Sequence, residues 1–332
     1  MTAQRQAYSA RLPMDDQRDH LMVQVAKAYY ELDRTQARIA DDLGLTRWQV
    51  GKLLTEAKAE GIVRIAITPR IGRTTALEVE LQRSFGLRDA VVVPTGEITD
   101  PALLTEMVAQ AGASYLANLS PRPALLGISW GRTMSAVARA LPPGWNPGAH
   151  VVLVNGSTAL SATNARNAAV AEDFAQAAGG TATLLPVPAI VGRPGTRAAL
   201  EDDPIVARVL ALADAAPVVC FGMGELSENS ILVASGYLAP QDVPRLRARG
   251  AVGDILGRFI TASGQIADEG LDARTIGLPL DALHRKTHAI GIVAGADKHA
   301  IAAAALRAGY ASVIVTDEAT ARSLLNTPKE AP

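Results

Sequence analysis

Between Asp15 and Leu32 the apolar positions Leu21, Val25, Ala28 and Leu32 fall three and four residues apart, which puts them on one helical face. The spacing predicts a helix from about Asp15, preceded over residues 1–14 by a loose arm with no periodic pattern. Two more helices are predicted within TQARIADDLGLTRWQVGKLLTEAKAEGIVRIAI. Thr35 is placed to cap a helix reaching about Leu43, because its hydroxyl can accept from the free N–H groups of the first turn. Gly44 ends that helix in a left-handed conformation. Thr46 caps the next, which runs to about Glu60 and stops at Gly61; Ile62–Ile67 reads as a strand. Ile39, Ala40, Leu43, Leu45, Val50, Leu53 and Leu54 then share an apolar core. Two short helices joined by a glycine turn, followed by a strand, fit a helix-turn-helix of winged-helix-like form.

Beyond Thr74 the pattern changes to short apolar runs alternating with Ala-rich stretches of helical period. Strands are expected at Ala90–Val93, Ala124–Ile128, Val151–Val154, Thr183–Leu185, Pro217–Phe221, Ala289–Val293 and Ser312–Val315. Helices are expected at Pro101–Asn118, Arg132–Leu141, Asn164–Ala178, Pro204–Ala213, Lys298–Ala308 and Glu318–Leu325. Unbroken apolar strands separated by helices imply a mostly parallel sheet covered on both faces. The expected architecture is an N-terminal all-α head over residues 15–70 and a large α/β domain over residues 74–328, and a length of 332 residues fits two unequal domains.

Composition adds detail. At 48% hydrophobic and 20% charged the chain is globular, and with 4% aromatic residues its core is aliphatic. A net charge of −1 weighs against nucleic acid, yet the charge is unevenly spread. Residues 1–73 carry 12 Lys/Arg against 9 Asp/Glu, a net of +3; the rest carries 20 against 24, a net of −4. A basic head on an acidic body suits DNA binding joined to another function. Cys220, the one cysteine, cannot form an intrachain disulfide and reads as buried filler in PVVCFG. With no apolar run of membrane-spanning length and a polar N-terminus, a cytoplasmic protein is expected, with no membrane partner.

On the third helix Arg47, Trp48, Gln49, Gly51 and Lys52 point away from the predicted core. Gln36, Thr46, Arg47, Trp48, Gln49 and Lys52 are the candidate contacts to double-stranded DNA: Arg or Lys suits guanine or phosphate, and Gln suits adenine. The plainer alternative is a helical hairpin that only packs. In the body, several loops after strands carry polar residues, where parallel sheets bind ligands. In GISWGRTM, Ser129, Gly131, Arg132 and Thr133 open a helix; this is either an anion site or an ordinary strand–helix turn. Asn155 and Gly156 follow another strand, and Gly222 and Glu225 lie in FGMGE. Asp254 sits among glycines in RARGAVGDILGRF, where it could accept hydroxyl hydrogen bonds. Lys298 begins a helix and could meet a phosphate or simply be solvated. No metal site or cofactor is indicated.

The segments TRWQVGKLLTEAKAEGIV, GISWGRTM, GAVGDILGRF and AGADKHAIAAAALRAGYASVIVTDEATARSLL, in this order and spacing, resemble the SorC family of sugar-responsive regulators, which includes the deoxyribonucleoside regulator type. The likeness spans about Arg18 to Leu325. It implies that the body has the fold of ribose-5-phosphate isomerase and glucosamine-6-phosphate deaminase, used for sensing. It also implies a homotetramer or homodimer bound to an operator, released or altered by a sugar or sugar phosphate. Gly131, Arg132 and Thr133 match the family's phosphate-contacting turn, where many members have a second Thr in place of Arg132. Asn155 stands where some phosphosugar sensors place an Arg, which points away from a bisphosphate. Asp254 matches an acidic position facing the sugar, and Lys298 a basic one in the same cleft. The implied function is a repressor of a sugar or polyol operon, not an enzyme. The alternatives are a sugar-phosphate isomerase or deaminase using Asp254 and Lys298, and a constitutive DNA-binding protein with an inert body.

Overall fold

The computed structural model describes residues 14–63, 74–158 and 166–326. The chain divides into two compact units, residues 1–70 and 71–332.

In the first unit three helices are described: α1 (Met14–Tyr30), α2 (Gln36–Leu43) and α3 (Arg47–Ala59). Met22, Val25, Ile39, Ala40, Val50, Leu53, Leu54 and Ala57 are buried together, with Leu43 and Leu45 packed at the margin. Thr35 caps α2 by accepting from Arg38 N–H, and Gly44 ends it at φ 64°. At α3 the Thr46 side chain accepts from Gln49 N–H at 3.2 Å, while Gln49 Oε1 accepts from Thr46 N–H at 2.8 Å. This reciprocal capping box satisfies two donors that no helical turn can reach. One expectation is corrected: Leu32 is 60% exposed, because α1 ends at Tyr30 and Leu32 lies beyond the helix. Met22 and Ala26 fill the face instead. The arm over residues 1–13 and most of the strand Ile62–Ile67 lie outside the described residues.

The second unit is built on β1 (Asp89–Val93), β2 (Leu125–Ile128), β3 (His150–Leu153), β4 (Thr181–Thr183), β5 (Val218–Glu225), β6 (Ala251–Ile255), β7 (Arg258–Thr261), β8 (His288–Val293) and β9 (Val313–Asp317). Seven of these form a parallel sheet in the order β1-β9-β8-β5-β2-β3-β4. Strand residues alternate between two apolar layers: Leu126, Ile128, Val151, Leu153, Val218 and Cys220 face one side. Val152, Val219, Phe221, Ala289 and Ile314 face the other. Helices α5 (Pro101–Ala117), α6 (Arg132–Ala140) and α7 (Arg166–Ala178) cover the first face through Val108, Met134, Val137 and Phe174. The second is covered by α4 (Thr75–Phe85), α9 (Pro204–Ala215), α13 (His299–Arg307) and α14 (Glu318–Asn326), through Leu81, Val209, Ile301 and Leu324. Burial of each such side chain stabilises by about 1.5–3 kcal/mol relative to exposure. Short helices α8 (Pro194–Glu201), α10 (Ile231–Ala234), α11 (Asp242–Ala248) and α12 (Glu269–Asp272) lie in the connections.

Three sequence expectations shift here. FGMGE is not a loop: β5 continues through Glu225, and its last three residues pair antiparallel with β6. RARGAVGDILGRF contributes the hairpin β6–β7, with Asp254 on a strand and opposite Phe259. Glycine belongs in these strands because of close approach; a Cβ on Gly224 would lie 2.0 Å from Asp254 Oδ1. The fourth strand is Thr181–Thr183 rather than Thr183–Leu185, since its pairing to His150–Val152 ends at Thr183.

Candidate functional site

Strand order reverses beside β2: from it the chain steps outward to β3 and β4, whereas from β5 it steps the other way to β8 and β9. The crevice at the carboxyl ends of β2 and β5 is where an open parallel sheet leaves room for a ligand. A cleft is found there. Ser129, Gly131, Arg132, Thr133, Asn155, Gly222, Glu225, Asp254 and Lys298 all line it. Gly156 does not. It packs instead: a Cβ there would lie 2.4 Å from Pro188 O, and its carbonyl accepts from Trp130 Nε1 at 2.7 Å. Trp130, Met223, Ser230, Leu256 and Gly257 line the cleft too and were missed. Trp130 stood inside GISWGRTM and could have been included; Ser230 had no signal beyond capping a short helix.

The two strand ends are tied together, Ser129 N–H donating to Cys220 O at 3.0 Å and Gly222 N–H to Ser129 Oγ at 3.3 Å. Gly131 has φ 138° and ψ 172°, a conformation that a side chain would strain, and no side chain caps α6 behind it. The first-turn amides of α6 therefore face the cleft without a side-chain acceptor, in the field of the helix dipole. Arg132 is already engaged, bonding Glu225 Oε1 at 3.0 Å and Asn229 O at 3.3 Å. Lys298 makes no ion pair among the described residues. Burial pushes the Lys298 ammonium below its ordinary value and nearby Arg132 adds to this, while Glu225, Asp254 and Asp297 oppose it.

Asp254 is buried, its Oδ2 accepting from Gly257 N–H at 3.0 Å. Loss of water raises its carboxyl to about 6; Glu225 adds to the rise, while the Gly257 N–H and Lys298 reduce it. Asn155 is buried on the cleft wall, and its Oδ1 has no hydrogen-bond partner among the described residues. A buried acceptor left empty costs on the order of 1–3 kcal/mol, which a ligand donor would recover. The cleft thus holds acceptors for hydroxyl groups (Asn155, Asp254) together with donors for an anion (Lys298, the α6 amides), and an Arg132–Glu225 pair that carries one of each. Among the described residues no group of three or more His, Cys, Asp or Glu could hold a metal ion.

The sugar-binding domain family matches residues 69–326. The deoxyribonucleoside regulator of Bacillus subtilis (strain 168) is 31% identical over 315 residues, 94% of this chain and 99% of that protein. The chain belongs to the SorC family of sugar-binding transcriptional regulators. Another SorC-family relative, the sorbitol operon regulator of Klebsiella pneumoniae, is 27% identical over 308 residues, 92% of this chain and 97% of that one. The crystal structure of full-length SorC from the same organism superposes with a TM-score of 0.68 at 27% identity, covering 93% of this chain and 99% of that one. No helix among the described residues is long and apolar enough to cross a membrane.

In the first unit, Gln36, Arg47, Trp48 and Lys52 converge with Gly51 and Thr55 on one shallow concave face. Trp48 is 73% exposed, and the Lys52 ammonium lies 5.5 Å from its ring centroid. Thr46 and Gln49 are not part of this face; their side chains are occupied by the capping box.

Proposed function

We propose that this SorC-family member represses a sugar or polyol operon by binding its operator as a symmetric dimer or tetramer, and that a monophosphorylated sugar or polyol in the body's cleft changes operator affinity. In this reading α2 and α3 form a helix-turn-helix whose third helix presents Arg47, Trp48 and Lys52 to the major groove, with Gln36 beside them. Thr46 and Gln49 hold the helix start in place. The phosphate sits at the α6 N-terminus near Gly131, Thr133 and Lys298, and Arg132 leaves Glu225 to join it. Asn155 and Asp254 receive the sugar hydroxyls. Coupling follows from linkage: a ligand that favours one subunit arrangement weakens a DNA site that needs another. The relatives support the regulatory role, since they bear the names of a deoxyribonucleoside regulator and a sorbitol operon regulator.

The observation that carries the ligand class is the empty Asn155 acceptor in the same cleft as Lys298, at the strand-order reversal. A thermal-shift screen of the full chain against sugars, polyols and their monophosphates tests it. A monophosphate is expected to raise the melting temperature, and Lys298→Ala to abolish the rise. Stabilisation by unphosphorylated compounds alone, unchanged in Lys298→Ala, would contradict the phosphate placement.

A further inference from the structure

Trp48 is the most exposed large apolar side chain among the described residues, at 73%, and it lies in the first turn of α3. One helical turn on, Gly51 sits inside the same helix. A Cβ added at Gly51 would meet only Gln36 Oε1, at an ordinary 3.8 Å. Neither packing nor backbone conformation requires glycine there. Glycine in a helix interior nonetheless weakens the helix equilibrium about five-fold relative to alanine. The missing side chain leaves a notch between the indole, Gln36 and Thr55, flanked by the positive charges of Arg47 and Lys52. An apolar plate beside a notch, inside a cationic rim, fits a small apolar group carried on an anionic polymer.

Resting on the reading that α3 enters the major groove, we propose that Trp48 is a specificity-determining residue that seats the 5-methyl group of an operator thymine against its ring, with the Gly51 notch admitting the base edge. Thymine is the one base whose major-groove edge presents an apolar group; the other edges there present donors and acceptors that an indole face would desolvate without replacing their hydrogen bonds. Lys52, already over the ring, is placed to reach the adjacent phosphate while keeping its contact with the indole face.

The test uses the full chain and a duplex that it selects from a random-sequence pool. Each thymine of that duplex is replaced singly by deoxyuridine, which removes only the methyl, and affinity is read by fluorescence anisotropy. One thymine per half-site is expected to lose about four-fold in affinity when its methyl is removed. In Trp48→Ala that same replacement should change affinity by less than two-fold. Gly51→Ala should raise the melting temperature of the first unit and weaken binding to the thymine duplex. If no single deoxyuridine weakens wild-type binding more than two-fold, or Trp48→Ala keeps the full penalty, the thymine seat is wrong while DNA binding stands. If the wild-type chain enriches no duplex at all, the DNA-binding reading falls and takes this one with it. Undiminished binding by Gly51→Ala overturns the notch.

Discussion

Replacing Asp254 by Asn isolates the energetic burden of a buried carboxylate in the cleft at the ends of β2 and β5. The Asp254 carboxyl titrates near 6 in the folded chain against an ordinary 3.8. Between those values the folded protein holds a proton that the unfolded chain has released. Wild-type stability therefore falls as pH rises through this window and levels off above it. At 1.36 kcal/mol per pH unit of separation, the ionised group destabilises the fold by about 3 kcal/mol at neutral pH. Asparagine does not titrate, and its Oδ1 can still accept from Gly257 N–H, the bond now made at 3.0 Å. Asp254→Asn should thus equal the wild type near pH 4 and exceed it by about 3 kcal/mol at pH 7.5. For a body of this size that is roughly 6–12 °C in melting temperature. Paired melts of both proteins from pH 4 to 7.5 supply the difference curve. A difference that does not change with pH, or an Asn variant less stable at pH 7.5, would refute the desolvation argument. The same variant should lose its response to a polyhydroxylated ligand, because an amide is a weaker acceptor than a carboxylate.

Thr46→Ala removes the side-chain half of the capping box, the Oγ that accepts from Gln49 N–H, and leaves the backbone half, so a loss of about 1 kcal/mol is expected in the melting transition of the first unit. Gly131→Ala forces a Cβ onto a backbone at φ 138°; it should destabilise the body by about 1–3 kcal/mol and abolish the thermal response to a monophosphate. A wild-type response in that variant would show that the α6 N-terminus is not the anion seat. Cys220 is buried in β5 and desolvation raises its thiol well above the ordinary value, so Ellman's reagent should find it only after denaturation. Fast reaction of the native chain would mean that the central strand opens.

The aliphatic strands were legible because each is buried on both faces and needs no alternation to be seen: Val151–Val154 and Ala289–Val293 differ from the observed strands by a residue at most ends. The caps at Thr35 and Thr46 were legible because capping is local chemistry. The β6–β7 hairpin was hidden because its strand glycines answer to a neighbour distant in sequence: a Cβ on Gly253 would lie 2.4 Å from Gly224 O. Propensity registers glycine as a turn and knows nothing of that carbonyl. That Asp254 belongs to the cleft was readable without its strand, since a lone acid among glycines stands out wherever it sits. What sequence could not give was pairing across the cleft. Arg132 and Glu225 stand 93 residues apart, and their 3.0 Å contact makes the arginine a guarded cation rather than a free one. Gln49 points away from the core, as its spacing on the helix predicts, but its engagement with Thr46 N–H depends on local side-chain geometry that spacing does not carry.

Arg258 opens β7 and is 3% exposed, yet its guanidinium donates to the carbonyls of Thr275, Gly277 and Leu278 and to the Asp272 carboxylate. Gly277 in turn bridges to Asn155, which lines the cleft. The hairpin that carries Asp254 is therefore riveted to the frame and does not hang over the cleft as a flap. On the proposed reading, ligand preference would be retuned at Asn155, Asp254 or Arg132 as one changes the wards of a lock, while Arg258 belongs to the lock case. A lysine there would offer a single point of attachment in place of a planar fork, and would leave carbonyls stranded that no water can reach.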